Sequence, residues 1–191
     1  ALEELGRKNF FSNVLSLGDP KTQGRFSDRT LNEIVRACVE MAKVRTGALI
    51  VIENGHPLTE YERTGIEVDG IVTSQLLINI FEHNTPLHDG AVVIKGDRVT
   101  AATCYLPLSD NMGIGKELGT RHRAGVGVSE ATDSLTIIVS EETGKISIAY
   151  EGELERAVDS DRLRERLRIL QDKHTEEAPI KHLARKAKAK K

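Results

Sequence analysis

Cysteine is scarce in this sequence, and the two cysteines that are present do not form a spaced framework. Cys38 and Cys104 each stand in an apolar pattern, which is typical of small core residues in a reduced, cytosolic protein. The sequence therefore predicts neither disulfide bonds nor a zinc knuckle.

Long apolar runs are also missing. The longest one, from Ala48 to Ile52, is far shorter than the roughly 20 residues that a membrane-spanning helix needs, and no signal-peptide pattern precedes the predicted fold. We therefore expect the chain as given to be soluble. Its 191 residues, 39% hydrophobic and 29% charged, are enough for one globular domain with a full core and appended tails.

An overall excess of basic charge is absent as well. The net charge is −2, and the last eleven residues carry six Lys or Arg and no acid; the remaining 21 basic residues face 29 acidic ones, for a charge of −8 on residues 1–180. This balance excludes a broad nucleic-acid footprint, and the basic end is typical of a solvated, disordered segment. A phosphate ligand would have to be held by a few local cations.

The spacing of apolar residues predicts alternating helices and strands. Thr30 and Glu33 have the spacing of a capping box at the start of the first helix. The predicted helices cover residues 30–45, 74–83, 120–130 and 159–170, and the predicted strands cover residues 48–52, 90–94, 99–105, 135–139 and 145–150. Because hairpins join some of the strands, we expect an α/β fold: a single globular domain with a central mixed β-sheet flanked by helices.

One candidate site is the segment His88-Asp89-Gly90, which lies between a predicted helix and a predicted strand. The adjacent imidazole and carboxylate could share a divalent cation or hold a hydroxyl group for deprotonation. Gly90 would let a ligand approach the backbone. Asp-Gly is equally a common turn sequence, so the residues alone leave both interpretations open.

A second candidate is the segment Gly119-Thr120-Arg121-His122-Arg123, at the predicted first turn of a helix. Cationic side chains there oppose the helix dipole. They make sense if an anion binds, because free backbone N–H groups and guanidinium groups converge on phosphate oxygens. The alternative is a solvated charged turn or an ion pair with a nearby acid.

Two weaker candidates end predicted strands. Ser140 and Glu142 follow the strand over residues 135–139, where α/β proteins often build sites, but an acidic hairpin tip would look the same. Tyr105 and Leu106 could sandwich a purine or simply close the core.

These segments occur together in a characteristic order. They cover residues 84–91 (NTPLHDGA), 105–109 (YLPLS), 117–124 (ELGTRHRA) and 132–144 (TDSLTIIVSEETG). The chain resembles the bacterial diadenylate cyclase domain, specifically its membrane-anchored type, over roughly residues 31–152. The Asp-Gly-Ala and Arg-His-Arg motifs are specific at this spacing, although either alone is weak.

The resemblance implies a nucleotidyltransferase that condenses two ATP molecules into cyclic di-AMP and two pyrophosphates, with a divalent metal such as Mn²⁺, Mg²⁺ or Co²⁺. The resemblance also implies a homodimer, because the product is two-fold symmetric. In that dimer each 3′-hydroxyl would reach the α-phosphate of the nucleotide bound to the other copy. The alternative is a non-catalytic module that binds ATP or a cyclic dinucleotide. A broken motif would favour that alternative, and here both motifs are whole.

The resemblance also implies roles for individual residues. Asp89 would act at the attacking 3′-hydroxyl, as a base or through the metal, with His88 as a further metal ligand. Thr120 and Arg121 would hold the triphosphate, Arg123 would reinforce the same turn, and His122 would orient its neighbours. The other residues implied to line the nucleotide site are Gly90, Ala91, Tyr105, Leu106, Gly119, Ser140 and Glu142.

The domain organisation follows from the same resemblance. We expect residues 1–28 to be a linker arm after a transmembrane region that is not in this chain, residues 29–170 to be the catalytic domain, and residues 171–191 to be a disordered basic tail. The whole protein would then sit on the cytoplasmic face of the bacterial cell membrane, open to protein regulators. No nucleic-acid partner is expected.

Overall fold

The computed structural model describes residues 26–176, apart from 112, 114, 116 and 117. The helices are α1 (Asp28–Val44), α2 (Thr59–Glu62), α3 (Ser74–Phe81), α4 (Thr120–Ala131) and α5 (Ser160–Glu176). The strands are β1 (Ala48–Ile52), β2 (Ile66–Ile71), β3 (Ala91–Lys95), β4 (Arg98–Cys104), β5 (Leu135–Val139), β6 (Ile146–Tyr150) and β7 (Glu153–Val158). None of the helices within this described part combines the length and the apolarity needed to cross a bilayer.

All strands join one seven-stranded sheet in the order β2-β4-β3-β1-β5-β6-β7. β1 and β3 run parallel, whereas the other neighbouring strands are antiparallel. Every residue of β1 and β5 is buried, as expected for β-branched strands covered on both faces. The predicted mixed sheet in a single α/β domain is confirmed.

Helices cover both faces of the sheet, so the domain has two apolar layers. Ile50 and Ile52 of β1 belong to the layer under α1, α3 and α5, and Leu49 and Val51 belong to the layer under α4. Alternate residues of a strand point to opposite faces, which explains this division. The apolar residues of α5 that lie at helical spacing are all buried in the first of these layers: Leu163, Leu167 and Leu170.

The sequence did not predict the two edge strands. No residue of β2 is fully buried, and the strand is interrupted by a bulge around Asp69, whose φ is 44°. In β7 only Val158 is buried. Edge strands lack the buried run or clean alternation on which strand prediction depends. The last helix also continues to Glu176, beyond its predicted end at residue 170.

The predicted capping box at the first helix is wrong. The helix starts at Asp28, and the hydroxyl of Ser27 accepts a hydrogen bond from the Thr30 N–H at 3.3 Å. Glu33 instead accepts from the Ser74 N–H at 2.6 Å, and this hydrogen bond lowers the pKa of the Glu33 carboxyl. The carboxylate therefore caps the neighbouring helix α3, whose first N–H groups and dipole favour an anion.

Helix α4 contains two glycines because it lies unusually close to its neighbours. A Cβ on Gly125 would lie 2.9 Å from the Cδ1 of Ile138, and a Cβ on Gly127 would lie 2.2 Å from the carbonyl oxygen of Pro107. The atom nearest to the Cβ on Gly125 is the end of a side chain, whereas the atom nearest to the Cβ on Gly127 belongs to the backbone. The helix is thereby held against both β5 and the segment that follows β4.

This difference gives a matched pair of stability predictions. Alanine favours a helix over glycine by about 1 kcal/mol, so Gly125→Ala should change the free energy of unfolding little once Ile138 has shifted. Gly127→Ala should lower it by roughly 1–3 kcal/mol, because the backbone at Pro107 must move. Urea unfolding of both variants measures the difference. Equal stabilities would contradict the tight contact between α4 and residue 107.

Candidate active site

The strand directions bring the candidate segments to one edge of the sheet. Ala48 at the start of β1 pairs with Val139 at the end of β5, and Ala91 at the start of β3 pairs with Cys104 at the end of β4. We call this row of strand ends the site edge. Residues 88–90 enter the sheet at this edge, and residues 105–109 and 140–144 leave it here.

A cavity of about 410 Å³ opens at the site edge, between the start of α4 and the turn from β5 to β6. It gathers residues from two of the four candidate segments. The predicted residues in its lining are Gly119, Thr120, Arg121, His122, Ser140 and Glu142. The cavity lining does not include the other predicted residues: His88, Asp89, Gly90, Ala91, Tyr105, Leu106 and Arg123.

The start of α4 forms one wall of the cavity. Gly119 is the N-cap residue and has no side chain with which to accept a hydrogen bond. Its carbonyl accepts from the N–H groups of His122 and Arg123, at 3.1 and 3.3 Å. For the N–H groups of Thr120 and Arg121, no acceptor is recorded among the described residues. Such orphan donors at a helix N-terminus favour an anion.

Arg121 forms an ion pair across the cavity wall. Its Nη1 lies 2.6 Å from the Oε2 of Glu141, and the two side chains are 24% and 46% exposed. Because the pair is partly in solvent, its contribution to stability is small, of the order of 1 kcal/mol or less. Its main effect is to fix the direction of the guanidinium group.

His122 is a neutral group in the cavity wall. Its side chain is buried, and burial is the largest cause that lowers its pKa; the positive charge of Arg156 lowers it further, while Glu142 acts in the opposite direction. A neutral imidazole donates and accepts hydrogen bonds but adds no charge. This state suits the expectation that His122 orients its neighbours.

Arg123 has a different environment from Arg121. Its Nη1 donates to the Ser109 carbonyl at 3.3 Å, and the Ser109 N–H donates back to the Arg123 carbonyl at 3.0 Å. Residues two apart on a helix do not share a face. Arg123 therefore ties α4 to the segment after β4, and only Arg121 of the two arginines lines the cavity.

Gly90 is required both by its conformation and by its surroundings. Its φ is +118°, and a Cβ would lie 2.7 Å from the backbone carbonyl carbon of Thr103. Thr103 is itself unusual, because this β-branched residue has a φ of 60° and a buried hydroxyl oxygen for which no partner is recorded among the described residues. Strained backbone of this kind is concentrated at functional sites.

His88 and Asp89 have the properties of metal ligands, although they do not form a complete protein site. The Nδ1 of His88 lies 2.6 Å from the Thr85 carbonyl oxygen. A carbonyl can only accept, so Nδ1 carries a proton, and in the neutral imidazole Nε2 is then the nitrogen whose lone pair can bind a metal. Asp89 is exposed. No group of three or more His, Cys, Asp or Glu side chains in the described part could hold a metal ion, but Mg²⁺ commonly takes one or two protein ligands together with substrate phosphates.

Strand β1 separates the Asp89 loop from the cavity. Neighbouring strands lie about 4.8 Å apart, so Gly90 beside β1 on one side and Ser140 beyond it on the other are about 10 Å apart. The two motifs therefore flank the start of β1.

Tyr105 and Leu106 have opposite environments. The side chain of Tyr105 is 74% exposed, and its N–H donates to the Thr64 hydroxyl at 2.8 Å. Leu106 packs on the apolar layer under α4. An exposed aromatic ring at the site edge is available for stacking on a ligand, whereas Leu106 does contribute to the core.

Several residues at the site edge were absent from the sequence-based prediction. They are Gly47, Thr103, Glu141, Lys145 and Arg156. Arg156 could not be placed because β7 had no recognisable pattern. Glu141 stands inside a recognised segment, but nothing in the sequence distinguishes it from Glu142 as the partner of Arg121.

The architecture and the cavity define an α/β domain with an anion-favouring site at one edge of its sheet. Residues 35–154 match the family described as DisA bacterial checkpoint controller nucleotide-binding. The chain belongs to this family. The matched region contains every candidate residue from His88 to Glu142.

Similar proteins carry names that describe one activity. The chain is 51% identical over 175 residues to the cyclic di-AMP synthase CdaA of Bacillus subtilis, covering 92% of this chain and 62% of that protein. It is 50% identical over 163 residues to a diadenylate cyclase of Listeria monocytogenes, covering 85% of this chain and 58% of that protein. The chain thus spans about three fifths of the length of these relatives.

Solved structures show the same fold. A crystal structure of a double mutant of DacA from Staphylococcus aureus superposes with a TM-score of 0.74 at 46% identity, covering 75% of this chain and 96% of that chain. A structure from Bacillus cereus, described as a hypothetical membrane spanning protein, gives a TM-score of 0.65 at 40% identity and covers 67% of this chain and 63% of that chain.

The environment of His122 predicts how stability depends on pH. The folded-state pKa is lowered below the unfolded value of about 6.5, so the unfolded chain binds more protons between these two values. The contribution of neutral His122 is fully present above about pH 6.5 and is lost as pH falls towards the folded pKa. The unfolding free energy of the wild type should therefore fall more steeply between about pH 7 and pH 5 than that of His122→Gln. Replacement of the exposed His56 by Gln is the control, and parallel curves for all three proteins would contradict the prediction.

Proposed function

We propose that this chain is the catalytic part of a diadenylate cyclase, which condenses two ATP molecules into cyclic di-AMP and releases two pyrophosphates. The observation that carries the proposal is the placement of Asp89 and Arg121 on either side of the start of β1, at one edge of the sheet. The family and the names of the relatives support it.

The cavity is the proposed triphosphate site. The orphan N–H groups of Thr120 and Arg121, the guanidinium of Arg121 and the hydroxyl of Ser140 all lie at this cavity. Donors fixed in place before the reaction stabilise the charge that grows on the leaving pyrophosphate without reorganising. Glu142 and Gly119 complete this part of the proposed site.

The nucleoside is proposed to lie along the site edge towards β3. Gly90 and Ala91 would allow it to approach the backbone, and Tyr105 would stack on the adenine, with Leu106 below. The exposed ring of Tyr105 supports this assignment.

Asp89 is proposed to hold the attacking 3′-hydroxyl and take its proton. The oxygen of that hydroxyl forms a bond to the α-phosphorus of the second ATP, and the bond from this phosphorus to the bridging oxygen of pyrophosphate breaks. His88 and Asp89 would hold a divalent ion, for which Mn²⁺, Mg²⁺ and Co²⁺ are the candidates. When bound, such an ion supplies charge neutralisation at the phosphates.

A second copy of the chain is the proposed partner. The reaction must occur twice, once in each direction, to close the symmetric ring. Two domains that face each other across their site edges would place each 3′-hydroxyl near the other α-phosphate. The exposure of Asp89 and Tyr105 supports this arrangement.

We also propose that the whole protein is anchored at the cytoplasmic face of the bacterial membrane and is open to protein regulators there. Residues 1–28 would be the linker from the anchor, residues 29–170 the catalytic domain and residues 171–191 a basic tail. The description of the Bacillus cereus structure as membrane spanning supports the anchor. Residues 1–25 and 177–191 lie outside the described part of the chain.

Two substitutions should separate chemistry from binding. Asp89→Asn should lower turnover by about 10²–10⁴-fold, because it removes the proton acceptor, while ATP affinity measured by calorimetry stays close to that of the wild type.

Arg121→Ala should weaken ATP binding by about tenfold or more, because charge-assisted hydrogen bonds are lost, and turnover should fall with it. If the wild type binds ATP but forms no product with any of the three metals, the chain is a nucleotide-binding regulator instead.

Dependence on a second copy can be tested by mixing. Specific activity should rise with protein concentration, and excess Asp89→Asn should suppress formation of cyclic di-AMP by the wild type. A mixed dimer closes only one of the two phosphodiester bonds, so a linear dinucleotide should accumulate. In the control, bovine serum albumin replaces the Asp89→Asn variant at equal concentration. If the specific activity depends neither on protein concentration nor on the added variant, one copy of the chain suffices.

A further inference from the structure

We infer that Gly47, the residue before β1, is a positioning residue for Arg121, because its lack of a side chain lets the Arg121–Glu141 ion pair lie across the start of β1. The inference rests on the proposed function, since it concerns the arginine that would hold the triphosphate. Gly47 itself would touch neither the nucleotide nor the reacting atoms.

The three atoms nearest to a Cβ at Gly47 all belong to this ion pair. A Cβ at Gly47 would lie 2.7 Å from the Nη1 of Arg121, 2.9 Å from its Cζ and 2.9 Å from the Oε2 of Glu141. Carbon atoms in contact need about 3.5–4.0 Å. The guanidinium and the carboxylate therefore occupy the space in which any other residue would carry its side chain.

The requirement for glycine at this position is spatial and not conformational. Gly47 is not among the described glycines with a positive φ, unlike Gly90, Gly96, Gly144 and Gly152. An alanine could adopt the same backbone conformation. The packing of Arg121 and Glu141 is the remaining reason for glycine.

The position of Gly47 in the sheet explains why its size matters for the site. Gly47 precedes Ala48, which pairs with Val139, the residue before Ser140. It is buried and lies between the Asp89 loop and the cavity. The ion pair that crosses it joins the start of α4 to the turn after β5, which are the two walls of the cavity.

The consequence is a guanidinium group that is oriented before the nucleotide arrives. Glu141 engages Nη1, and no further partner of the guanidinium is recorded among the described residues. Because the guanidinium is planar, fixing Nη1 also fixes the directions of its other N–H groups. Donors that are already oriented lose less entropy when a phosphate binds.

The test is a Gly47→Ala substitution with ATP affinity measured by calorimetry and turnover measured separately. The methyl group should displace the guanidinium and weaken ATP binding by about tenfold, close to the effect of Arg121→Ala. The decisive comparison is the double variant: in the Arg121→Ala background, Gly47→Ala should weaken ATP binding no further, because there is no guanidinium to displace.

Gly70→Ala is the matched control. A Cβ there would also meet the end of a flexible side chain, the Cδ2 of Leu76 at 2.9 Å, and Gly70 is likewise not among the glycines with a positive φ. It lies on β2, away from the cavity. Its ATP affinity should equal that of the wild type.

Three results would overturn the inference. They are an unchanged ATP affinity in folded Gly47→Ala, an equal loss of affinity in the wild-type and Arg121→Ala backgrounds, or a failure of both Gly47→Ala and the double variant to fold. If Gly47→Ala alone fails to fold and the double variant folds, the clash with the guanidinium is established. Because affinity is measured without turnover, a wild type that binds ATP but forms no product would refute the proposed function and leave this test intact.

Discussion

The parallel pairing of β1 with β3 is the constraint on which the whole site depends. In a sheet that is otherwise antiparallel, this one pairing places the starts of β1 and β3 beside the ends of β4 and β5. If β3 ran in the opposite direction, Asp89 would stand at the far edge from Arg121. A parallel pair needs a long crossover connection, and the chain between these strands supplies it with α2, β2 and α3. The loop with His88 and Asp89 is the end of that crossover.

The sequence predicted the buried part of the fold well because burial leaves a strong pattern. Ala48–Ile52 and Leu135–Val139 are continuous apolar runs, and such runs can be assigned without knowing their neighbours. The edge strands β2 and β7 present one side to solvent, so their composition resembles that of loops. The failure to predict β7 affected the site prediction as well, because Arg156 lies on that strand and was not among the predicted site residues.

Pair interactions could not be predicted in the same way. Glu33 has the spacing to cap a helix whose N-cap is Thr30, but the N-cap is Ser27, and the Glu33 carboxylate accepts from the Ser74 N–H at the start of α3 instead. Arg121 and Arg123 look equivalent in the motif, but the helix turns them to different partners. In both cases the residue type indicated the kind of interaction, but the sequence did not predict the partner. A partner distant in the chain is determined by how whole helices and strands pack.

Glycine shows most clearly what a sequence leaves open. Gly90 is needed for its φ and for close backbone contact, Gly127 for the approach of α4 to residue 107, and Gly47 for the space that an ion pair fills. These are three different requirements for one residue type. The reason for each becomes visible only when the atoms around the missing Cβ are known.

The charges of the cavity lining are only partly sufficient for a triphosphate. The described lining contains Arg121, Lys145 and Arg156 against Glu141 and Glu142, and His122 is neutral because it is buried. The lining thus carries about one positive charge, far less than the charge of a nucleoside triphosphate. Orphan N–H groups at the start of α4 add partial positive charge, but they do not close this difference. A bound cation would reduce this difference, which supports the proposed dependence on a divalent metal.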